Sequence, residues 1–177
     1  SLDQGRTWTK YEGNPVVQNP GIRDFRDPDL LWFENEKKWV MSVASGDHVR
    51  FFESTNLRDW ALLSQFGKKW GSQSGVWECP DLFPLTDFSS GTKKWVLLVS
   101  VNSGGPNGGP ATQYFIGDFD GEVFVPDDPS DTVNWLDWGR DNFAGITWSD
   151  APVKSSRALF IGWMSNWIYA HDLPTVN

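Results

Sequence analysis

One cysteine, Cys79, permits no internal disulfide and excludes a cysteine-built metal cluster. The two histidines, His48 and His171, stand far apart, so no His-rich metal site is expected, and no cofactor either. No apolar run approaches the roughly 18 residues that a bilayer span requires. Basic residues are in deficit: 15 Lys and Arg against 23 Asp and Glu leave a net charge of −8. That balance argues against nucleic acid and against anionic membrane surfaces, which need Lys/Arg patches. Helically spaced apolar residues are missing as well. No signal peptide is visible, and the chain opens on Ser1 rather than Met, so an internal piece of a longer fold is expected. What is abundant is tryptophan. Twelve Trp and 15% aromatic residues suit either strand-rich cores or sugar-stacking surfaces, and most of the rings are assigned to core.

The chain repeats itself. Arg26-Asp27-Pro28-Asp29-Leu30 is followed by Lys37-Lys38-Trp39-Val40, and Glu78-Cys79-Pro80-Asp81-Leu82 by Lys93-Lys94-Trp95-Val96. Pro-Asp-Leu returns after 52 residues and Lys-Lys-Trp-Val after 56. A period near 50 made of short strands is the signature of a β-propeller, one four-stranded blade per repeat. Strands are expected at 27–33, 39–44, 49–54 and 60–65 for one blade and at 80–86, 94–101, 113–118 and 122–125 for the next. A further blade opens at 141–148, with its second strand over 157–167. In domain terms, 1–20 ends a blade, 21–70 and 71–130 are blades, and 131–177 begins the last. Ser1-Leu2-Asp3-Gln4-Gly5-Arg6-Thr7-Trp8 reads as a turn flanked by strand, echoed at Ser54–Trp60 and more weakly at Asp118–Gly121. The Gly-rich segment 102–110 is longer than a hairpin needs and reads as an insert or a loop over the mouth. The fold class is all-β, an incomplete propeller of about three blades.

Propellers set the starts of their innermost strands around a central mouth, so Asp27 and Glu78 could converge from different blades on one ligand. Phe25-Arg26-Asp27-Pro28, Trp77-Glu78-Cys79-Pro80-Asp81-Leu82-Phe83, Asp137-Trp138-Gly139-Arg140-Asp141-Asn142-Phe143-Ala144 and Gly162-Trp163-Met164-Ser165-Asn166-Trp167 occur in that order. Together they resemble glycoside hydrolase family 32, the invertases, inulinases and levanases that cleave β-fructofuranosides. The resemblance covers essentially the whole chain. It implies a five-bladed propeller followed by a β-sandwich, which is absent here, a fructoside substrate (sucrose, inulin or levan) and secretion. It implies that Asp27, helped by Arg26, holds fructose hydroxyls and steadies the transition state, and that Glu78 is the general acid/base. The family's nucleophile lies in an Asn-Asp-Pro motif that does not occur in this chain. The nucleophile is therefore expected upstream, and the isolated chain is expected to be inactive and poorly soluble.

The chemistry of the residues agrees. Cleaving a fructosidic bond passes through an oxocarbenium-like state that needs a proton donor and a group supporting positive charge. Glu78 lies between Trp77 and Cys79, an apolar setting that should raise its pKa toward donor range. Asp27 lies beside Arg26, which favours the charged carboxylate. A Glu in an inter-blade salt bridge and a turn-capping Asp are the bland readings of the same two residues. Asp141 begins the third inner strand, the place Asp27 takes in the first, and reads as a ligand contact or a solvated turn acid. Asn102 could bond hydroxyls of the leaving sugar. Trp163 and Trp167 alternate on one strand face, and Trp167 is the candidate floor for the fructose ring, with core packing as the alternative. Cys79 shapes the surroundings of Glu78 and, without a nearby base, is no nucleophile.

Two other readings stay open. One is a non-catalytic carbohydrate-binding propeller. The other is a sialidase-like propeller, suggested by the Asp-box pattern of the first turn but lacking the arginine cluster and Tyr setting that sialidases need. The oligomeric state is not legible in the sequence.

Overall fold

A computed structural model describes residues 1–151 and 157–172, and none of these is helical. The first sheet is antiparallel in the order β1 (Phe25–Phe33), β2 (Lys38–Ser45), β3 (Val49–Ser54), β4 (Ala61–Phe66). The second runs β5 (Trp77–Thr86), β6 (Lys93–Val101), β7 (Ala111–Phe119), β8 (Phe124–Pro126), with β9 (Asn134–Trp135) also paired to β7. The third holds β10 (Phe143–Thr147) and β11 (Phe160–Trp163). Three successive meanders, each led by its inner strand and packed on the next, are blades of a β-propeller, and they do not close into a ring.

The second strand of each full sheet is a nearly unbroken apolar run because it is covered on both faces. β2 and β6 are buried along almost their whole length. Between the first two sheets lies one core containing Val40, Phe51, Phe66, Trp77, Leu97, Val99 and Phe115. Edge-on aromatic pairs fix its geometry, with Phe66 and Phe115 at 5.0 Å and Phe33 and Phe119 at 5.9 Å between centroids. Trp77 is fully buried and donates its indole N–H to Ser72 O at 2.9 Å. Gly67 makes room for that ring: at φ +129°, a Cβ there would lie 2.4 Å from Trp77 Cζ3.

Several expected elements move. Residues 1–24 contain no strand. Their first turn is closed by its own side chains: Asp3 Oδ1 accepts the N–H groups of Arg6 and Thr7 at 3.1 and 2.9 Å. The Thr7 N–H first, then the Thr7 and Ser1 hydroxyls, hold the Asp3 carboxyl down at about 2. Such side-chain capture competes with strand pairing. The echo is real at Ser54–Asp59, where Ser54 Oγ and Asn56 Oδ1 accept four backbone N–H groups, and Leu57 repeats the positive φ of Gln4. β8 starts at Phe124 rather than residue 122, because Asp120 Oδ1 captures the N–H groups of Glu122 and Val123. The strand expected over 157–167 ends at Trp163, so Trp163 and Trp167 do not share a strand. Asn166 breaks it by accepting the Ile168 N–H at 2.9 Å on its side chain and the Ala170 N–H at 3.0 Å on its carbonyl.

Candidate active site

Each inner strand is kinked at the same place. The register slips between Arg26 and Asp29 in β1, between Glu78 and Asp81 in β5, and between Phe143 and Ile146 in β10. In each case one extra residue is inserted against the partner strand, a β-bulge, which bends the strand and re-aims a side chain. The residue after the slip begins has left-handed backbone: Asp27 at φ 56°, Cys79 at 46° and Ala144 at 52°. For residues with a Cβ this costs roughly 1–2 kcal/mol each. Such strain persists only where the surroundings enforce it, and it gathers at functional sites. The bulges also align the blades. Arg26, Glu78 and Phe143 are equivalent, as are Asp27, Cys79 and Ala144. The expectation for Asp141 is corrected accordingly: Ala144, not Asp141, holds the place of Asp27 in the third blade.

At the junction of the first two blades the chemistry converges. The Arg26 guanidinium reaches Asp24 Oδ1 at 2.6 Å and Glu78 Oε1 at 2.8 Å, while Asp27 Oδ2 lies 3.9 Å from Nε. Asp24 first, and Glu78 second, bind the guanidinium more firmly into its charged form. Arg26 was expected to serve the adjacent Asp27. It lies 3.9 Å from that carboxylate and also spans the junction to Glu78 on β5. Asp27 Oδ2 accepts the Cys79 N–H at 3.1 Å. Both carboxylates therefore sit within 3.9 Å of one guanidinium. Glu78 does form the inter-blade ion pair that counted as its bland reading, yet only through Oε1. Its Oε2 is buried and has no hydrogen-bond partner among the described residues. Trp77 explains this placement, since its backbone N–H donates to Gly46 O at 2.7 Å and its ring fills the core.

Cys79 lies with its Sγ 3.7 Å from Asp27 Oδ2. Burial, then the charges of Asp27 and Glu78, push its thiol up to about 12, which keeps it protonated and inert as a nucleophile.

The other candidates are more dispersed. Asn102 follows β6, and its Oδ1 accepts the Val76 N–H at 3.0 Å, tying the approach to Glu78 against the end of β6. Asp141 is exposed and accepts Asn166 Nδ2 at 3.2 Å. Trp167 is half exposed in the turn after β11 and packs tilted against Trp163 with centroids 4.9 Å apart, and His171 lies 5.9 Å from it. The Gly-rich segment 102–110 is fastened rather than loose: Asn107 Nδ2 donates to Trp138 O, and Gly109 packs against Ile168. Three groups at the junction escaped sequence reasoning. Asp24 shares Arg26, and Asp29 and Asp81 join neighbouring inner strands. Only the doubled Pro-Asp-Leu could have pointed to the last two.

Residues 1–177 match the family model described as glycosyl hydrolases family 32 N-terminal domain. A levanase from Bacillus subtilis (strain 168) is 55% identical over 176 residues, covering 99% of this chain and 26% of that protein. An extracellular exo-inulinase from Aspergillus niger is 42% identical over 191 residues, covering 99% of this chain and 35% of that protein. The crystal structure of an exo-inulinase from Aspergillus awamori superposes with a TM-score of 0.89 at 40% identity, over 99% of this chain and 36% of the other. A fructofuranosidase from Schwanniomyces occidentalis complexed with fructose gives 0.87 at 41% identity, over 96% and 32%. The chain thus spans between a quarter and two fifths of these relatives.

Proposed function

The chain belongs to glycosyl hydrolase family 32, and from that membership we propose that it supplies part of the active site of a retaining β-fructofuranosidase acting on sucrose, inulin or levan. Glu78 is the general acid/base and Asp27 holds the sugar and supports the transition state, with Arg26 between them. The attacking carboxylate comes from outside this chain, so fructose release belongs to the longer protein. The blades assigned to 21–70 and 71–130 are read as the two walls of the cleft, and 131–177 as the next wall, its residues 152–156 and 173–177 lying outside those described. Secretion is part of the reading, supported by a relative named as extracellular.

The observation that carries this is the state of the Glu78 carboxyl. Oε1 is occupied by a guanidinium N–H, which leaves Oε2, buried and without a hydrogen-bond partner among the described residues, as the oxygen for a proton bound for the leaving sugar. Such a donor typically contributes 10²–10⁴-fold. After the leaving group departs, the same carboxylate takes a proton from water attacking the fructosyl–enzyme. Asn102, Asp141 and Trp167 are proposed at the rim, as contacts for the leaving sugar or the ring, and Cys79 as the neutral neighbour that holds Asp27 through its backbone.

The test is fructose release from sucrose and inulin by the full-length protein and its Glu78→Gln variant. A fall of about 10²-fold or more is expected. Fructose release that persists in the variant refutes the assignment, and sugar binding without any turnover by the parent replaces it with a carbohydrate-binding propeller.

A further inference from the structure

The Pro-Asp-Leu repeat has a use that the hydrolytic chemistry does not absorb. Its second acid, Asp81, is only 4% exposed, yet it has no cationic partner among the described residues. Its carboxylate crosses to the next blade: Oδ2 accepts the Thr147 N–H at 2.6 Å and Oδ1 the Thr147 hydroxyl at 3.2 Å. Asp29, its counterpart one blade earlier, lies near the backbone N–H groups of Leu30 and Leu82, the latter equivalent to Thr147. An acid thus stands two residues after the left-handed bulge residue in the first two blades, and the second of them, Asp81, reaches the neighbouring inner strand beyond that strand's own bulge.

The consequence falls on β5. On one side it is held by Asp27 through Cys79, with Ser42 Oγ donating to Pro80 O at 3.5 Å and Asp29 lying near Leu82. On the other side it is held by Asp81 through Thr147. Ser100, the register partner of Glu78, takes the Ala144 N–H at 3.1 Å. Glu78 lies between these two sets of ties. Two uncompensated acids close enough to repel each other are an expensive way to join strands. A neutral Asn or a plain ladder bond would join them too. Ionised carboxylates accept stronger hydrogen bonds than neutral groups do, which fixes a strained bulge more rigidly.

We propose that Asp81, with Asp29 as its counterpart, is a positioning residue that locks the Glu78 bulge so that the proton donor meets the leaving-group oxygen. This rests on the reading of Glu78 as general acid, and it makes a claim that a scaffold role does not. A misplaced acid slows only cleavage that needs protonation. Sucrose has a poor leaving group, whereas an aryl β-fructofuranoside with a 4-nitrophenolate leaving group departs without a proton.

The experiment compares kcat/KM for sucrose and for 4-nitrophenyl β-fructofuranoside in the full-length protein, its Asp81→Asn variant and its Thr147→Val variant. Asp81→Asn is expected to lose tenfold or more on sucrose, with KM within threefold, and less than threefold on the aryl substrate. Thr147→Val keeps the backbone N–H and removes only the hydroxyl. It is expected to show the same selectivity at about threefold, and it carries the test if Asp81→Asn does not fold. Equal losses on both substrates, or no loss on either, overturn the proposal. Glu78→Gln separates the two claims. If it abolishes sucrose cleavage while Asp81→Asn shows no selectivity, positioning alone fails. If it leaves sucrose cleavage intact, the acid assignment fails and positioning falls with it.

Discussion

At the scale of single residues, the informative departure is Arg26. Sequence order pairs it with Asp27 next door, but side chains of consecutive strand residues point to opposite faces, and a bulge between them changes that rule locally. The outcome is a guanidinium serving Asp24 and Glu78 at once, one on each blade. Only a planar fork with several donors can do this. Arg26→Lys keeps the charge and loses the fork, so one of the two contacts must lapse. We expect its kcat/KM on sucrose to fall tenfold or more, with thermal stability changed by little, since the surface partner Asp24 contributes about 1 kcal/mol at most. A lysine variant as active as the parent would show that the fork is dispensable. Glu78 itself was legible because Trp77-Glu78-Cys79-Pro80 is a distinctive string, and the burial of Trp77 follows from its type. The partner on Oε1 was not, since a contact 52 residues distant leaves no local trace.

At the scale of elements, the repeat announced the blades, and its two halves meant different things. Lys-Lys-Trp-Val marks second strands and core, as periodicity implies. Pro-Asp-Leu marks a bulge followed by a tie to the next blade, and backbone left-handedness at Asp27 and Cys79 is not written in residue type, since neither is glycine. That hidden feature also misplaced Asp141, whose sequence position suggested equivalence with Asp27. The ties carry a pH signature. Burial, then the Asp81 charge, raises the Asp29 carboxyl from its ordinary 3.8 to about 6. Burial raises Asp81 as well. An acid whose folded value lies above its unfolded one binds more protons when folded, so stability falls as pH rises through that interval. The protein is therefore expected to lose stability between about pH 4 and pH 6 through Asp29, with Asp81 acting in the same direction. Asp29→Asn, which still offers an oxygen to Leu82, should flatten that part of the curve in urea titrations at stepped pH. A variant with the parent's slope would place the effect elsewhere.

At the scale of the whole molecule, three sheets stand in an arc, and the arc's two flanks are apolar. Leu30 and Trp32 of β1 are each 42% exposed on one flank. Ile146 of β10 and Ile161 of β11 are 47% and 57% exposed on the other, beside Trp148 at 61%. Within the arc the equivalent surfaces are closed by neighbouring blades, as the core between the first two sheets shows. A propeller blade is in effect a sheet with two sticky faces, and sheets with open apolar faces and free edges associate. Net charge of −8 opposes this only at long range and is screened within about 8 Å at physiological ionic strength. Residues 1–177 prepared alone are thus expected to self-associate at micromolar concentration, by sedimentation velocity, and to do so more readily as salt is raised. Replacing Ile146 and Ile161 with Thr should slow the association without touching the Arg26–Glu78 junction, because both side chains face away from the core. A monodisperse monomer with a single cooperative melt would overturn this, and would mean that the flanks fold over themselves in solution.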